Sequence, residues 1–127
     1  MEITAIVAAS LLGVVAAFQI ALALGAPWGG SAYGGRAPVT GGTLPVRYRV
    51  MSAAGVLLLA LAAWIILARA DIVGGPNDVA WPIWLVAAYL SFNTFANLAS
   101  PSRIERWLWG SVSAAAAVLT VIVARLA

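Results

Sequence analysis

Every charged residue of this 127-residue chain lies outside four long apolar windows. The windows run over residues 3–24, 50–68, 79–98 and 107–124. A helix that crosses the hydrocarbon core of a membrane needs about 20 apolar residues, and charged side chains within such a helix are costly. The pattern therefore predicts an all-α fold: a single transmembrane domain, residues 1–127, in which four membrane-spanning helices form a bundle.

The composition excludes several kinds of site. Only 9% of the residues are charged and 64% are hydrophobic, whereas a soluble domain usually carries roughly a quarter charged residues. The chain has no Cys and no His, so it lacks thiol nucleophiles, imidazole bases and the usual zinc and haem ligands. We therefore expect no metal and no cofactor. The few cations form no basic stripe, so nucleic acid is not an expected partner.

The arginines favour one orientation in the membrane. Five of them lie in the loops after the first and third windows, and two lie in the second loop and the C-terminus: Arg36, Arg47, Arg49, Arg103 and Arg106 against Arg69 and Arg125. Because cytoplasmic loops are enriched in Arg and Lys, we expect these two loops in the cytoplasm and both termini outside a bacterial cytoplasmic membrane. Membrane lipids are then expected partners, with anionic headgroups near the arginines.

Seven aromatic residues lie at the edges of the predicted spans, and we interpret them as interface anchors because amphipathic rings prefer the membrane–water boundary. Those expected at the cytoplasmic edge are Trp28, Tyr48, Trp107 and Trp109; those expected at the outer edge are Trp64, Trp81 and Trp84. A ligand-binding role is the alternative for each of them.

The third window carries a polar stripe. Asn93, Asn97 and Ser100 stand at positions i, i+4 and i+7, and Gln19 lies at a similar depth in the first window. Burying an unpaired amide costs several kcal/mol, so the stripe is expected to face the interior of the bundle. It either forms interhelical hydrogen bonds or lines a cavity with arginines at its mouth. The candidate ligand-binding residues are Gln19, Arg36, Asn93, Asn97, Ser100, Arg103 and Arg106.

The loop over residues 25–46 contains seven Gly and three Pro. Loops of this length are usually functional or disordered, and Trp28 and Tyr33 within it are unusual for a solvated linker. We expect the loop to lie partly against the bundle, with Arg36 folding it onto the mouth near Asn97 and Ser100. A solvated Arg36 on a mobile loop is the alternative.

Before the fourth window, Ser102-Arg103-Ile104-Glu105 has the spacing of a capping box. In such a box the Ser oxygen accepts a hydrogen bond from a free backbone amide and the Glu side chain bonds back to the cap residue. This pattern predicts a capping role for Glu105 rather than a catalytic one.

Small residues follow the first window at every fourth position: Ala5, Ala9, Gly13, Ala17 and Ala21. Small residues allow helices to approach closely in lipid, so this stripe is predicted to be a packing face. Its partner is either another helix of the chain or a second protomer.

The two halves of the chain share short echoes. Residues 15–18 read VAAF and residues 86–89 read VAAY, and the segments 49–70 and 106–127 have equal length with Arg at the start and near the end. Either the bundle consists of two parallel helical-hairpin repeats, or low-complexity sequence produces the echoes by chance.

Two loop segments resemble a family of uncharacterised small four-helix bacterial integral membrane proteins. The first contains Gly25-Ala26-Pro27-Trp28-Gly29, Tyr33-Gly34-Gly35-Arg36 and Leu44-Pro45 with Arg47; the second runs from Asn97 to Arg106. The resemblance implies the four-helix fold and no particular activity.

Three classes of function stay open. The first is a non-catalytic integral membrane protein that binds a lipid, a hydrophobic small molecule or a partner membrane protein, alone or as a homo-oligomer. The second is a small oligomeric transporter or channel, against which stands the lack of a carboxylate or His within the spans. The third is a lipid-modifying enzyme, for which Asp71, Asp78 and Glu105 are the candidate acids but form no paired acid and base.

Overall fold

A computed structural model of the chain describes residues 1–75 and 79–127. Its elements are α1 (Glu2–Ala23), α2 (Val46–Arg69), α3 (Pro82–Leu98) and α4 (Gly110–Leu126), and a π-helical turn (Glu105–Trp109) leads directly into α4. The described part of the chain contains no strand, only one isolated bridge between Thr40 and Thr43. The all-α class predicted from the sequence is confirmed.

Three helices are long and apolar enough to cross a membrane: α1, α2 and the continuous helix Glu105–Leu126. The chain is therefore consistent with a membrane protein. The third predicted span is shorter than expected, because α3 begins at Pro82 rather than at residue 79. Proline fits the first helical turn, where its missing N–H is not needed. By contrast, α2 is longer than its predicted span. It begins directly after Pro45, so Arg47 and Arg49 lie within its first turns.

The helices pack as two pairs, α1 with α2 and α3 with α4, and contacts between α1 and α4 join the pairs. The main core lies in the half of the bundle away from the 25–46 loop. It combines small residues that allow close approach with large side chains that fill the centre, and its members include Ala5, Ala8, Leu12, Leu59, Ile66, Ile83, Leu90, Ala116 and Val123.

The predicted small-residue stripe is not the packing face of α1 within the chain. Gly13 and Ala17 are exposed, and a Cβ built on Gly13 would have nothing within 4 Å. The buried face runs instead through Ala5, Ala8 and Leu12. A four-residue step advances about 40° beyond a full turn of an α-helix, so a stripe of four such steps winds around the helix and leaves the interface.

The 25–46 loop is ordered into short turns. It contains two 3₁₀ turns (Gly29–Ser31 and Tyr33–Gly35), and the amide of Gly29 donates a hydrogen bond of 2.8 Å to the Gly42 carbonyl. This bond joins the two arms of the loop. A small second core forms beneath it from Leu22, Ala32, Ala37 and Leu44. The loop thus lies against the bundle, and it is held by its own apolar residues.

Replacing Gly29 by Ala should open this loop. A Cβ at residue 29 would lie 2.7 Å from the Gly42 carbonyl oxygen and 2.8 Å from Val39 Cγ1, so the two arms must separate. Overpacking of this kind typically costs about 1–3 kcal/mol. We expect faster proteolysis within residues 29–42 and a lower melting temperature in mild detergent.

Gly30→Ala is the matched control, because a Cβ there has nothing within 4 Å. Equal proteolysis of the two variants would show that the arms of the loop are not closed.

Candidate ligand-binding cavity

A cavity of about 420 Å³ lies between the four helices, directly beneath the 25–46 loop. Its volume falls within the roughly 300–1,000 Å³ typical of small-molecule sites. Every helix and the loop contribute to its wall. The lining comprises Leu12, Val15, Phe18 and Gln19 from α1, residues 31–34 from the loop, Gly55 and Leu59 from α2, Tyr89, Leu90, Asn93, Ala96 and Asn97 from α3, and Glu105, Trp109, Val112, Ser113 and Ala116 from the last helix.

The two ends of the cavity differ in polarity. The end beneath the loop carries the side chains of Gln19, Asn93, Asn97, Glu105 and Ser113. The end toward the middle of the bundle is lined by apolar residues, namely Leu12, Leu59, Leu90 and Ala116. The cavity therefore matches a molecule with one polar and one apolar end.

The asparagines of the polar stripe both line the cavity and are half-buried. Asn97 Nδ2 donates to the Asn93 carbonyl at 2.9 Å and to Ser113 Oγ at 3.4 Å. Asn93 Nδ2 donates to the Tyr89 carbonyl at 3.3 Å. The stripe thus forms an interhelical hydrogen bond between α3 and α4 and a wall of the cavity at once, so the two interpretations from the sequence coexist. Gln19 faces the same space from α1.

Tyr33 holds the loop over the cavity. Its hydroxyl lies 2.8 Å from Ser52 Oγ, which is fully buried in α2, and donates to the Tyr48 carbonyl at 3.2 Å. The ring also packs against the Tyr48 ring with 5.0 Å between centroids. Residue 33 has a φ of 51°, an unusual value for a residue with a side chain. These contacts offset that strain.

The arginines expected at the mouth lie elsewhere, and no arginine belongs to the described lining. Arg36 and Arg103 are exposed, so the loop contact predicted for Arg36 is made by Tyr33 instead. Arg106 donates to the Ser100 carbonyl at 3.3 Å, with its guanidinium 6.0 Å from the centre of the Trp107 ring. Ser100 is buried beneath this contact and accepts a hydrogen bond from the Ser102 amide at 3.1 Å.

Glu105 points to the cavity rather than to a cap. Its amide donates to Ser102 Oγ at 3.5 Å, so half of the predicted capping box forms. The return bond is replaced, because the Ser102 amide bonds to Ser100 Oγ. The backbone of Gly34 and Gly35 and the Ser100 side chain hydrogen-bond to the Glu105 carboxyl group. Glu105 is only 7% exposed, and its Oε1 has no hydrogen-bond partner among the described residues.

The π-helical turn Glu105–Trp109 brings a second polar group to the cavity. Trp109, predicted as an interface anchor, is half-buried with its ring 4.6 Å from the Phe18 ring, and its Nε1 is buried without a described partner. Trp109 is not at the membrane interface because the π-helical turn directs its side chain inward, against Phe18 of α1. The other predicted anchors are exposed or half-buried, Trp28 in the 25–46 loop and the rest near helix ends: Tyr48, Trp64, Trp81, Trp84 and Trp107.

Among the cavity residues that sequence reasoning missed, three carry polar groups that shape the site: Tyr33, Glu105 and Trp109. A signal for two of them is present. Glu105, Trp109 and Ser113 follow one another at four-residue intervals, which places them near one face of a helix. The capping-box pattern gives Glu105 a local partner, so the four-residue spacing was not interpreted as a cavity wall. Tyr33 carries no comparable signal, because its position depends on the path of the loop.

No group of three metal-ligating side chains occurs within residues 1–75 and 79–127. Asp78, one of the candidate acids, lies outside the described residues. Comparison with known proteins finds no match: no family model, no curated protein and no solved structure is significantly similar to this chain. Inferences about function therefore depend on the geometry of the cavity, and the resemblance to a bacterial four-helix family stays a prediction.

Replacing Tyr33 by Phe should loosen the loop. The change deletes the hydroxyl that bonds to Ser52 and leaves the buried Ser52 hydroxyl without that contact. Losing a hydrogen bond of this kind typically costs about 1 kcal/mol, and more when a buried partner is left unpaired. We expect a lower melting temperature in detergent and faster cleavage within residues 29–42.

Arg36→Ala serves as the control, since Arg36 is exposed. If Arg36→Ala accelerates cleavage and Tyr33→Phe does not, the arginine holds the loop and the tyrosine does not.

Proposed function

We propose that this chain is a four-span integral membrane protein that binds a small amphiphilic molecule, a membrane lipid or another hydrophobic small molecule, without catalysing a reaction on it. The single observation that carries the proposal is the cavity with one polar and one apolar end. A molecule drawn from the bilayer has this character. Its apolar part would lie toward Leu12 and Leu90, and its polar part beneath the loop.

Contacts between the first and third loops support a fourth span. A Cβ on Gly35 would lie 3.7 Å from Ser102 Cβ, and Gly34 hydrogen-bonds to Glu105. The segments after α1 and after α3 therefore share one end of the bundle, so α3 must return the chain across its length. With 17 residues, α3 measures about 26 Å at 1.5 Å per residue, close to the roughly 30 Å hydrocarbon core.

Binding is favoured over catalysis by the chemistry of the wall. Glu105 is the only carboxyl group of the described lining, which also holds no guanidinium. Acid–base chemistry generally needs a matched pair of groups around the reacting atoms. Transport of the bound molecule by an oligomer is the alternative, and it would require the cavity to open to both sides of the membrane.

Single-cysteine variants test the four spans and the orientation, since the chain has no native Cys. Positions 41, 74 and 103 are exposed and sample the three loops. With both termini outside, a membrane-impermeant thiol reagent added to intact cells should label Gly74→Cys and spare Gly41→Cys and Arg103→Cys. If only Gly41→Cys and Arg103→Cys are labelled, the orientation is the opposite of the one expected. If Gly74→Cys and Arg103→Cys are both labelled, α3 does not cross the membrane.

Filling the cavity tests the binding function. Gly55 in α2 lines the cavity and has nothing within 4 Å of an added Cβ, so Gly55→Leu should occupy the space without a clash. Native mass spectrometry from mild detergent should show an amphiphile, co-purified or added as decanol, on the parent protein. Occupancy should fall at least tenfold in the variant.

Gly13→Leu is the matched control, because Gly13 also has nothing within 4 Å but faces away from the cavity. The binding function is wrong if the parent protein carries neither a co-purified molecule nor decanol, or if both leucine variants bind as the parent does.

A further inference from the structure

Three buried polar atoms without hydrogen-bond partners belong to residues that line the cavity. They are Gln19 Oε1, Glu105 Oε1 and Trp109 Nε1. The fourth unpartnered atom found in the described part of the chain, Arg69 Nε, belongs to a residue outside the cavity lining. Buried polar atoms are hydrogen-bonded in most proteins, and the exceptions call for an explanation. Here the exceptions concentrate around one space.

The chemistry of these three atoms defines a complementary ligand. Gln19 Oε1 and Glu105 Oε1 are acceptors, so each needs a donor from the ligand. The indole Nε1 of Trp109 is a donor and needs an acceptor. A donor group of the ligand therefore matches Gln19 and Glu105, whereas Trp109 needs a separate acceptor group on the ligand.

The charges of the cavity lining further restrict the class of ligand. Glu105 is more than nine-tenths buried, and the described lining contains no arginine. Burial disfavours the charged form of a carboxyl group, and the hydrogen bonds that Gly34, Ser100 and Gly35 supply to Glu105 offset this cost only in part. A buried carboxylate without a counter-charge is costly. A cation is thus the favoured occupant, and an anionic headgroup would meet repulsion.

We propose that the polar end of the cavity recognises a primary ammonium group, with Glu105 as its counter-ion and Gln19 as a second acceptor, and that the ligand is a single-chain cationic amphiphile. This inference rests on the proposed binding function and adds the class of ligand to it. It also differs from the expectation drawn from the loop arginines, which favoured an anionic headgroup. Those arginines contact solvent, backbone or aromatic rings and do not reach the cavity wall.

Three probes with the same apolar chain and different head groups test the proposal: decylamine, decanol and decanoate. Each is added at equal concentration to the detergent-solubilised parent protein, and occupancy is measured by native mass spectrometry and by the shift in melting temperature. We expect decylamine to bind at least tenfold more tightly than decanoate. Decanol should fall between them, because it donates a hydrogen bond but carries no charge.

Variants then locate the preference. Glu105→Gln keeps the shape of the side chain and removes its charge, and it should reduce the preference for decylamine over decanoate at least fivefold. Glu2→Gln is the matched control, since Glu2 is exposed at the start of α1, and it should leave the preference unchanged. Because all proteins are compared in the same detergent, differences in partitioning of the probes cancel between variants.

The outcomes separate the two proposals. If all three probes bind, are displaced by Gly55→Leu and show no preference for the amine, the binding function stands and the ammonium site is wrong. The ammonium site is equally wrong if decanoate binds as tightly as decylamine, or if Glu105→Gln and Glu2→Gln give the same ratio. If none of the probes binds the parent protein, the binding function and the ammonium site fail together. Should Glu105→Gln not fold, the ratio measured on the parent protein still decides.

Discussion

A buried polar side chain in an apolar helix bundle must find its hydrogen-bond partner inside the protein. Several side chains that are at least half-buried meet this constraint locally by donating to the carbonyl four residues earlier: Ser91, Thr94 and Thr120. The larger groups of Gln19, Glu105 and Trp109 are not satisfied in this way. These three residues line the cavity beneath the 25–46 loop, and the character of that cavity follows from them.

The 25–46 loop completes that space instead of merely connecting two helices. Its turn at residues 33–35 uses positive φ angles throughout, which directs the Tyr33 hydroxyl to Ser52 and the Gly34 and Gly35 backbone to Glu105. The loop therefore supplies hydrogen bonds to a buried carboxyl group that the helices leave unpaired. In return, the bundle fixes a loop whose glycines would otherwise favour many conformations. The ordered conformation of the loop and the position of the Glu105 carboxyl group therefore depend on each other.

Much of the architecture could be predicted from the sequence, because apolar length and charge segregation are strong signals for helices of this kind. The helix ends were less predictable. Pro82 shortened α3 and Pro45 allowed α2 to start early. Both helix starts depend on local backbone geometry, which the average hydrophobicity of a window does not describe. The polar stripe of α3 was located correctly on the inner side, since burying Asn93 and Asn97 in lipid would be costly.

The contents of the site were harder to predict, since they depend on long-range contacts. The sequence pattern predicts that Arg36 holds the loop, but Tyr33, the first residue of the second 3₁₀ turn, makes this contact. Glu105 was assigned to a cap because its local spacing to Ser102 is favourable, and only the positions of Gly34 and Gly35 show its other role. One-dimensional patterns capture local hydrogen bonds well, but they cannot record which loop will fold over a helix end.

The π-helical turn before α4 has a consequence for the phase of that helix. A π turn accommodates one residue more than an α-helical turn, and each residue of an α-helix corresponds to about 100° of rotation. The residues on the two sides of Glu105–Trp109 are therefore out of phase relative to a regular helix by about that angle. Deleting one residue within the turn would change almost nothing in composition or hydropathy, yet it would rotate the start of the helix away from the cavity. The length of this turn thus determines whether the bundle has a carboxyl group in its interior.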